Sequence, residues 1–298
     1  MKSGFVSLIG RPNAGKSSLL NRIIGEKLAI VSNKPQTTRT RIIGVKNYPG
    51  GQIVFVDTPG IHRPLHRMNV RMVDTAVETI REVDIVGVVV DVSESAGAGR
   101  RFLFDLVKDT NANLVLILNK IDLVKKHKLL PVLEEFSQVR DWHAIVPVSA
   151  FTGDNVVHLE EVFLAALPDG EPLYPAEYLT DQPERVMVGE MIREQVLRLT
   201  RDELPFSTAV LIDQFQEPTP EDHMTRIWAT ILVERDSQKP IVIGRGGEMI
   251  KQIGTEARHE VEKFLRARVF LDLRVAVREQ WREDERLLDQ LGVKPREK

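Results

Sequence analysis

A chain of 298 residues is long enough for two domains of ordinary size, and at 42% hydrophobic and 28% charged it can bury a core, which excludes wholesale disorder. It holds no cysteine, which excludes disulfides, cysteine-ligated zinc and thiol catalysis. With 41 Lys and Arg against 43 Asp and Glu the net charge is -2, so any surface for a polyanion must be local.

The chain opens almost directly on a strand-like run, so no signal peptide is expected. Apolar runs such as 85–90 and 114–118 fall far short of the ~20 residues that cross a bilayer, and a soluble protein of a reducing cytoplasm is expected. Buried strands are predicted over 5–9, 53–56, 85–90, 114–118 and 144–148, with helices over 16–24, 68–81, 100–110, 127–140 and 155–167 between them. Such alternation predicts an α/β domain with a mixed, mostly parallel sheet and helices on both faces. One pair departs from it: 41–47 and 52–56 are joined only by Tyr48-Pro49-Gly50-Gly51, too short for a crossover helix, so they should form an antiparallel hairpin. The proline-rich stretch 168–183 lacks apolar periodicity and reads as a linker between domains 1–167 and 184–298. Beyond it the expected order is helix 185–199, strand 208–215, strand 225–234, an apolar strand at 241–243, helix 248–266, strand 269–277 and helix 279–291, an α+β unit.

Gly10-Arg11-Pro12-Asn13-Ala14-Gly15-Lys16-Ser17 fits G-x-x-x-x-G-K-[ST] between a strand and a helix, and Ser18 continues it. Glycines there let backbone N–H groups curl around phosphates, and the helix N-terminus adds positive potential. Lys16 should reach the β- and γ-phosphates, and the Ser17 hydroxyl should ligate Mg²⁺. Asp57-Thr58-Pro59-Gly60 follows another strand, where Asp57 can hold Mg²⁺ through water and the Gly60 N–H can sense a γ-phosphate. In the polar loop 32–40 either Thr37 or Thr38 could complete the Mg²⁺ shell, with Thr38 the favoured candidate.

Asn119-Lys120-Ile121-Asp122 closes the strand 114–118. The Asp122 carboxylate can accept from guanine N1–H and its 2-amino group, whereas adenine would leave it unpaired. Asn119 can tie the base loop to the phosphate loop, the Lys120 stem can cover the ring, and the Ala150 N–H in Ser149-Ala150-Phe151 can donate to guanine O6. With these motifs in this order, residues 1–167 resemble the translation-factor-like (TRAFAC) class of GTPases. Ras-like members of that class carry a water-orienting glutamine where this chain has Ile61, so a Ras-style mechanism is not expected and unaided turnover should be slow, ~10⁻⁴ to 10⁻² s⁻¹. Asn13 is a candidate K⁺ ligand beside the phosphates, as its equivalent is in similar GTPases. His62 and His66 have the spacing of a metal pair but no acidic partner in sequence. They read instead as exposed residues of a switch loop that also carries Arg63, Arg67 and Arg71, a solvated face or a partner contact.

Gly244-Arg245-Gly246-Gly247, after Ile243 and before a helix that offers Ile250 and Lys251, fits the GXXG loop of KH domains. Glycines admit a nucleic-acid backbone, Arg245 and Lys251 supply charge, and the isoleucines form a bed for splayed bases. The helix–strand–strand–helix–strand order resembles a type II KH domain, an RNA-binding module. Taken together with Pro35-Gln36-Thr37-Thr38-Arg39 and Leu173-Tyr174-Pro175, the whole chain resembles the bacterial Era family, departing at Ser18 where the family usually has threonine. The resemblance implies a monomeric GTP-hydrolysing switch that uses GTP, GDP and Mg²⁺ and binds the 3′ end of small-subunit ribosomal RNA. It further implies a role in maturing the small ribosomal subunit, and peripheral contact with the inner face of the cell membrane. The alternative is a regulatory GTPase whose second domain binds a protein. A third reading is an RNA chaperone in which bound nucleotide is not usefully hydrolysed.

Overall fold

The structure, a computed structural model, describes residues 1–293 apart from 35–36, 62–65, 95–97, 108–109, 126, 128, 201–203 and 205–206, and only the backbone of 98–102. Six strands form the first sheet: β1 (Lys2–Gly10), β2 (Ile42–Tyr48), β3 (Gly51–Asp57), β4 (Ile85–Asp91), β5 (Asn113–Asn119) and β6 (Ala144–Pro147). They lie in the order β2-β3-β1-β4-β5-β6, all parallel except β2, which pairs antiparallel to β3 across the Tyr48–Gly51 turn. Period-two alternation sends successive side chains to opposite layers. Ile85 and Val89 of β4, and Val115 and Ile117 of β5, face α1 (Lys16–Ile24) and α5 (Val156–Ala166). Val86, Val88, Leu116 and Leu118 face α2 (Arg67–Glu82), α3 (Ala98–Val107) and α4 (Leu129–Ser137). The sheet is therefore buried on both sides, as parallel sheets must be.

The second sheet holds β7 (Ala209–Gln216), β8 (Met224–Val233) and β9 (Arg268–Val277), with β7–β8 antiparallel and β8–β9 parallel. Against one face pack α6 (Glu184–Leu199), the short α7 (Lys239–Ile243) and α8 (Glu248–Leu265), through Val188, Ile192, Val242, Ile253, Ala257 and Val261. Its far face is covered at one end by Trp281 and by Leu287 and Leu288 of α9 (Glu285–Gln290), and also by Met68 and Met72 of α2. That helix thus serves two cores: Ala76 and Ile80 face the first sheet while Met68 and Met72 face the second.

Two expectations need correction. The run 241–243 is the end of helix α7, not a strand: Pro240 pre-sets the first turn and the Gly244 N–H donates to the Pro240 carbonyl at 2.8 Å. Three β-branched residues in a row do not by themselves distinguish a strand from a buried helical turn. The last helix is broken into a 3₁₀ turn (Trp281–Glu283) and α9, because Gln280 is left-handed (φ 52) and Asp284 caps a new helix by accepting from the Leu287 N–H at 3.2 Å. The segment 168–183, expected to be a linker, packs against β2 and β3. Gln52 accepts from the N–H groups of Leu173 and Tyr174, Val45 N–H donates to Leu179 O, and the stacked Tyr174 and Tyr178 rings cover Ile43, Val45 and Val54.

Candidate functional site

The nucleotide motifs gather at the carboxyl ends of β1, β3, β5 and β6, where α/β sheets place their ligands. Between β1 and α1 the loop turns on Gly15, whose φ is 92° and whose added Cβ would lie 2.2 Å from Asn119 Nδ2. Only glycine meets both demands. Lys16 is buried and its ammonium donates back to the carbonyls of Gly10 and Arg11, both at 3.2 Å. Burial pushes its pKa below the ordinary lysine range, and the Asp57 charge only partly offsets that. An incoming phosphate would restore the charged form.

Beside it, Ser17 Oγ lies 2.7 Å from Thr38 Oγ1 and donates to Asp57 Oδ2 at 2.8 Å, and Thr38 donates to the same oxygen at 3.1 Å. Asp57 Oδ1 is buried without a partner among the described residues, and burial raises the acid's pKa against the pull of Lys16, Ser17 and Thr38. Two hydroxyls and a carboxylate with an orphaned oxygen form a donor set of hard oxygens, which suits Mg²⁺ and would stabilise Asp57 as the anion. The Thr37 hydroxyl instead turns back to the Lys34 carbonyl at 2.7 Å. Thr58 donates to Leu8 O, and Gly60 lies so close beneath Pro12 that a Cβ would meet its Cα at 3.0 Å. Ile61 is buried and its N–H donates to Gly10 O at 3.0 Å, so no side chain there can orient water. Asn13, left-handed at φ 64, donates to Asn33 O while its Oδ1 is buried and has no partner among the described residues. Of these, Asn13, Ser17, Thr38 and Gly60 line, with Ser18, Val31 and Lys120, a cleft of about 420 Å³.

At the base end Asn119 donates to Ala14 O at 2.8 Å and accepts from the Ala150 N–H at 3.0 Å, which ties three loops together. Asp122 is exposed and accepts from Ser149 Oγ at 2.6 Å. Lys120 is left-handed, and its ammonium lies 2.6 Å from Asp91. Burial alone would raise the Asp91 pKa, but Lys120 and Ser93 outweigh it and hold the acid below its usual range. Sequence reasoning missed Asp91, although an acid at a parallel strand's carboxyl end was a readable signal. It also missed Arg22, whose guanidinium donates to the carbonyls of Ala150 and Phe151. A contact that spans 128 residues leaves no local trace.

The GXXG loop joins α7 to α8. Gly244 (φ 75) is crowded, a Cβ lying 2.7 Å from Met249 N, whereas Gly246 and Gly247, also at positive φ, have nothing within 4 Å of a built Cβ. Arg245, Gly246 and Lys251 are exposed, and Ile243 and Ile250 are half-buried. Ile250 and Lys251 share a cleft of about 330 Å³ with Gly254, Arg258 and, from β9, Leu271 and Leu273. Gly254 and Arg258 were legible from helical spacing after Ile250, but the β9 leucines required the sheet.

The switch-loop residues divide. His62 and Arg63 lie outside the described residues. His66 faces Glu283 at 3.5 Å, Arg67 pairs with Glu285, and buried Arg71 donates to Asp289 and to Val293 O, both at 2.7 Å. Arg67 and Arg71 thus contact this chain's own second unit. Among the described residues no group of three His, Asp or Glu is placed to hold a metal ion, and no helix is long and apolar enough to cross a membrane.

The fold and site define a P-loop GTPase joined to a KH domain. A family model for 50S ribosome-binding GTPases matches residues 5–120, and one for KH domains matches residues 203–282. The chain is 50% identical to the GTPase Era of Geobacter metallireducens and 47% identical to that of Heliobacterium modesticaldum, over 98% of this chain and 97% of each relative. A crystal structure of Era with MgGDPNP and nucleotides 1506–1542 of 16S ribosomal RNA superposes with a TM-score of 0.95 at 37% identity. It covers 98% of this chain and 99% of that one. A variant of Aquifex aeolicus Era bound to GDP and AlF4⁻ gives 0.94 at the same identity and coverage. The chain belongs to the Era family of GTPases, and it hydrolyses GTP.

Proposed function

We propose that this GTPase is a slow switch whose KH domain binds the 3′ end of small-subunit ribosomal RNA and assists maturation of that subunit. The observation that carries the reading is the pairing of a complete nucleotide cleft with an open, basic-edged GXXG groove in one chain. That chain superposes over 98% of its length on an Era bound to such RNA. The 50S description attaches to a match over residues 5–120 alone, so the full-length likeness is the better guide to the RNA.

In this reading residues 1–167 are the GTPase domain, 184–298 the KH domain and 168–183 the connection. Gly10 to Ser18 cradle the phosphates, with Lys16 on the β- and γ-phosphates, and Thr58, Pro59 and Gly60 close over the terminal phosphate. Ser17, Thr38 and Asp57 would hold Mg²⁺, which when bound neutralises charge on the phosphate oxygens. Asp122, Asn119, Lys120, Ser149 and Ala150 select guanine. The Ala150 N–H, spent on Asn119 in this structure, would share with or pass to guanine O6. The unpartnered Asn13 Oδ1 supports a K⁺ site beside the phosphates. Hydrolysis breaks the bond from the γ-phosphorus to the bridging oxygen as water attacks, giving GDP and phosphate. With Ile61 in place of a polar side chain, Lys16 and the backbone N–H groups carry the charge stabilisation. On the RNA side Ile243, Gly244, Arg245, Gly246, Gly247, Ile250 and Lys251 receive the single strand. A monomer working in the cytoplasm, with peripheral contact at the inner membrane face, completes the reading and rests on the family alone.

The test replaces Arg245 and Gly246 with aspartates. Both positions are exposed, so the variant should fold, and its GTP turnover should match the parent. Affinity for an RNA of the 1506–1542 sequence, read by filter binding, should fall by more than the ~1–3 kcal/mol of one stacked base. Unchanged RNA affinity in the folded variant would make the loop an ordinary turn and favour a protein partner.

A further inference from the structure

A charged bridge runs between the two domains, its own residues lining neither ligand cleft. Lys27, in the loop after α1, places its ammonium 2.5 Å from Glu194 of α6 and 3.0 Å from Glu260 of α8. Glu194 is buried, and its other oxygen accepts the Val31 N–H at 2.8 Å. Ile30, Val31 and Ser32 form a wall of the nucleotide cleft. At the other end, α8 is the helix that carries Ile250, Lys251, Gly254 and Arg258 into the GXXG groove, with Glu260 turned away from that groove. A continuous run of short, partly desolvated charge contacts therefore joins the helix of one cleft to the wall of the other. Such contacts are far less screened than surface pairs. Although burial opposes it, Lys27 is held above its ordinary lysine range by Glu194 and Glu260, and Glu260 is held below its usual range first by Lys27.

We infer that Glu194 is a positioning residue for the nucleotide-cleft wall, and that Lys27 and Glu260 link its placement to the state of α8, so that RNA and nucleotide affinities are coupled through this bridge. The inference rests on the RNA reading above. Glu194 sets the Val31 backbone, Lys27 sets Glu194, and a shift of α8 on binding RNA changes how Lys27 divides between its two acids. Because the coupling is a free energy shared by two equilibria, RNA must change nucleotide affinity by the same factor by which nucleotide changes RNA affinity.

The experiment measures Kd of the full chain for a non-hydrolysable GTP analogue with and without saturating RNA of the 1506–1542 sequence, and Kd for that RNA with and without the analogue. In the parent the two ratios should agree and reach about fivefold or more. Glu260→Gln and Lys27→Met should each keep RNA affinity without nucleotide within about twofold of the parent, while the ratio drops below about twofold. Glu194→Gln, which retains an acceptor for Val31 N–H, should keep nucleotide affinity better than Glu194→Ala. Parent ratios near one, or variants that keep the parent's ratio, would overturn the bridge. Parent protein that does not bind the RNA would overturn the RNA reading and this inference with it.

Discussion

The nucleotide cleft and the GXXG groove are both turns between an apolar element and a helix, yet they are built in opposite ways. In the first, side chains already satisfy one another: Asn119 clasps Ala14 and Ala150, Ser17 and Thr38 share Asp57, and Lys16 folds onto the loop that it serves. In the second, Arg245, Gly246 and Lys251 stand in solvent, and space around Gly246 and Gly247 is open. A pre-organised site gains affinity because little remains to be ordered on binding, and it transmits any local error to the whole cluster. An open site draws its energy from what the ligand brings, so single changes should act on affinity and leave the fold intact.

The sharpest break between the two should come from one substitution made twice. Gly15→Ala forces a Cβ at φ 92° into an Asn119 amide that is held at both ends. Strain of about 1–3 kcal/mol plus the clash should lower nucleotide affinity by about 100-fold or more, read by equilibrium titration. Gly246→Ala meets nothing within 4 Å and bears only the left-handed φ of 60°, so nucleotide affinity should stay within about twofold. Equal effects on nucleotide binding at the two positions would erase the contrast.

A smaller effect is expected where the nucleotide cleft is itself open. Asp122 is exposed and accepts from Ser149, so Asp122→Asn should fold normally and exchange one acceptor for a donor. Preference should move from GTP toward XTP by on the order of 100-fold, measured as the ratio of the two affinities. An unchanged ratio would remove Asp122 from the base site.

The smallest effect concerns Asn13. If its unpartnered Oδ1 takes K⁺, hydrolysis at matched ionic strength should run a few-fold faster in K⁺ than in Na⁺, about 1 kcal/mol of barrier. Asn13→Ala should abolish the difference. A K⁺ effect that survives the substitution would leave the asparagine as a loop-shaping residue alone.

Much of this was legible in the chain. Strand periodicity and the turn at Tyr48–Gly51 specify the antiparallel β2–β3 pair, and each nucleotide motif sits at a strand's carboxyl end. The GXXG surroundings were read less well. A run of β-branched residues at 241–243 satisfies strand and helix alike, and the closing Gly244–Pro240 hydrogen bond decides between them. The proline-rich stretch 168–183 shows no apolar periodicity because its partners, Gln52 and the edge strand β2, lie more than a hundred residues away.

By itself the sequence determined the chemistry: which hydroxyls, carboxylates and glycines exist, at what spacing, and after which strands. Those choices are local, since a loop's φ, a strand's alternation and a helix's first turn depend on neighbours in the chain. Only the tertiary structure decided which distant groups meet. It placed Arg22 under Ala150, Asp91 against Lys120, Met68 and Met72 in the second domain's core, and Lys27 between Glu194 and Glu260. Each of these is a long-range pairing fixed by packing two sheets and their helices into one body, and no periodicity along the chain encodes it.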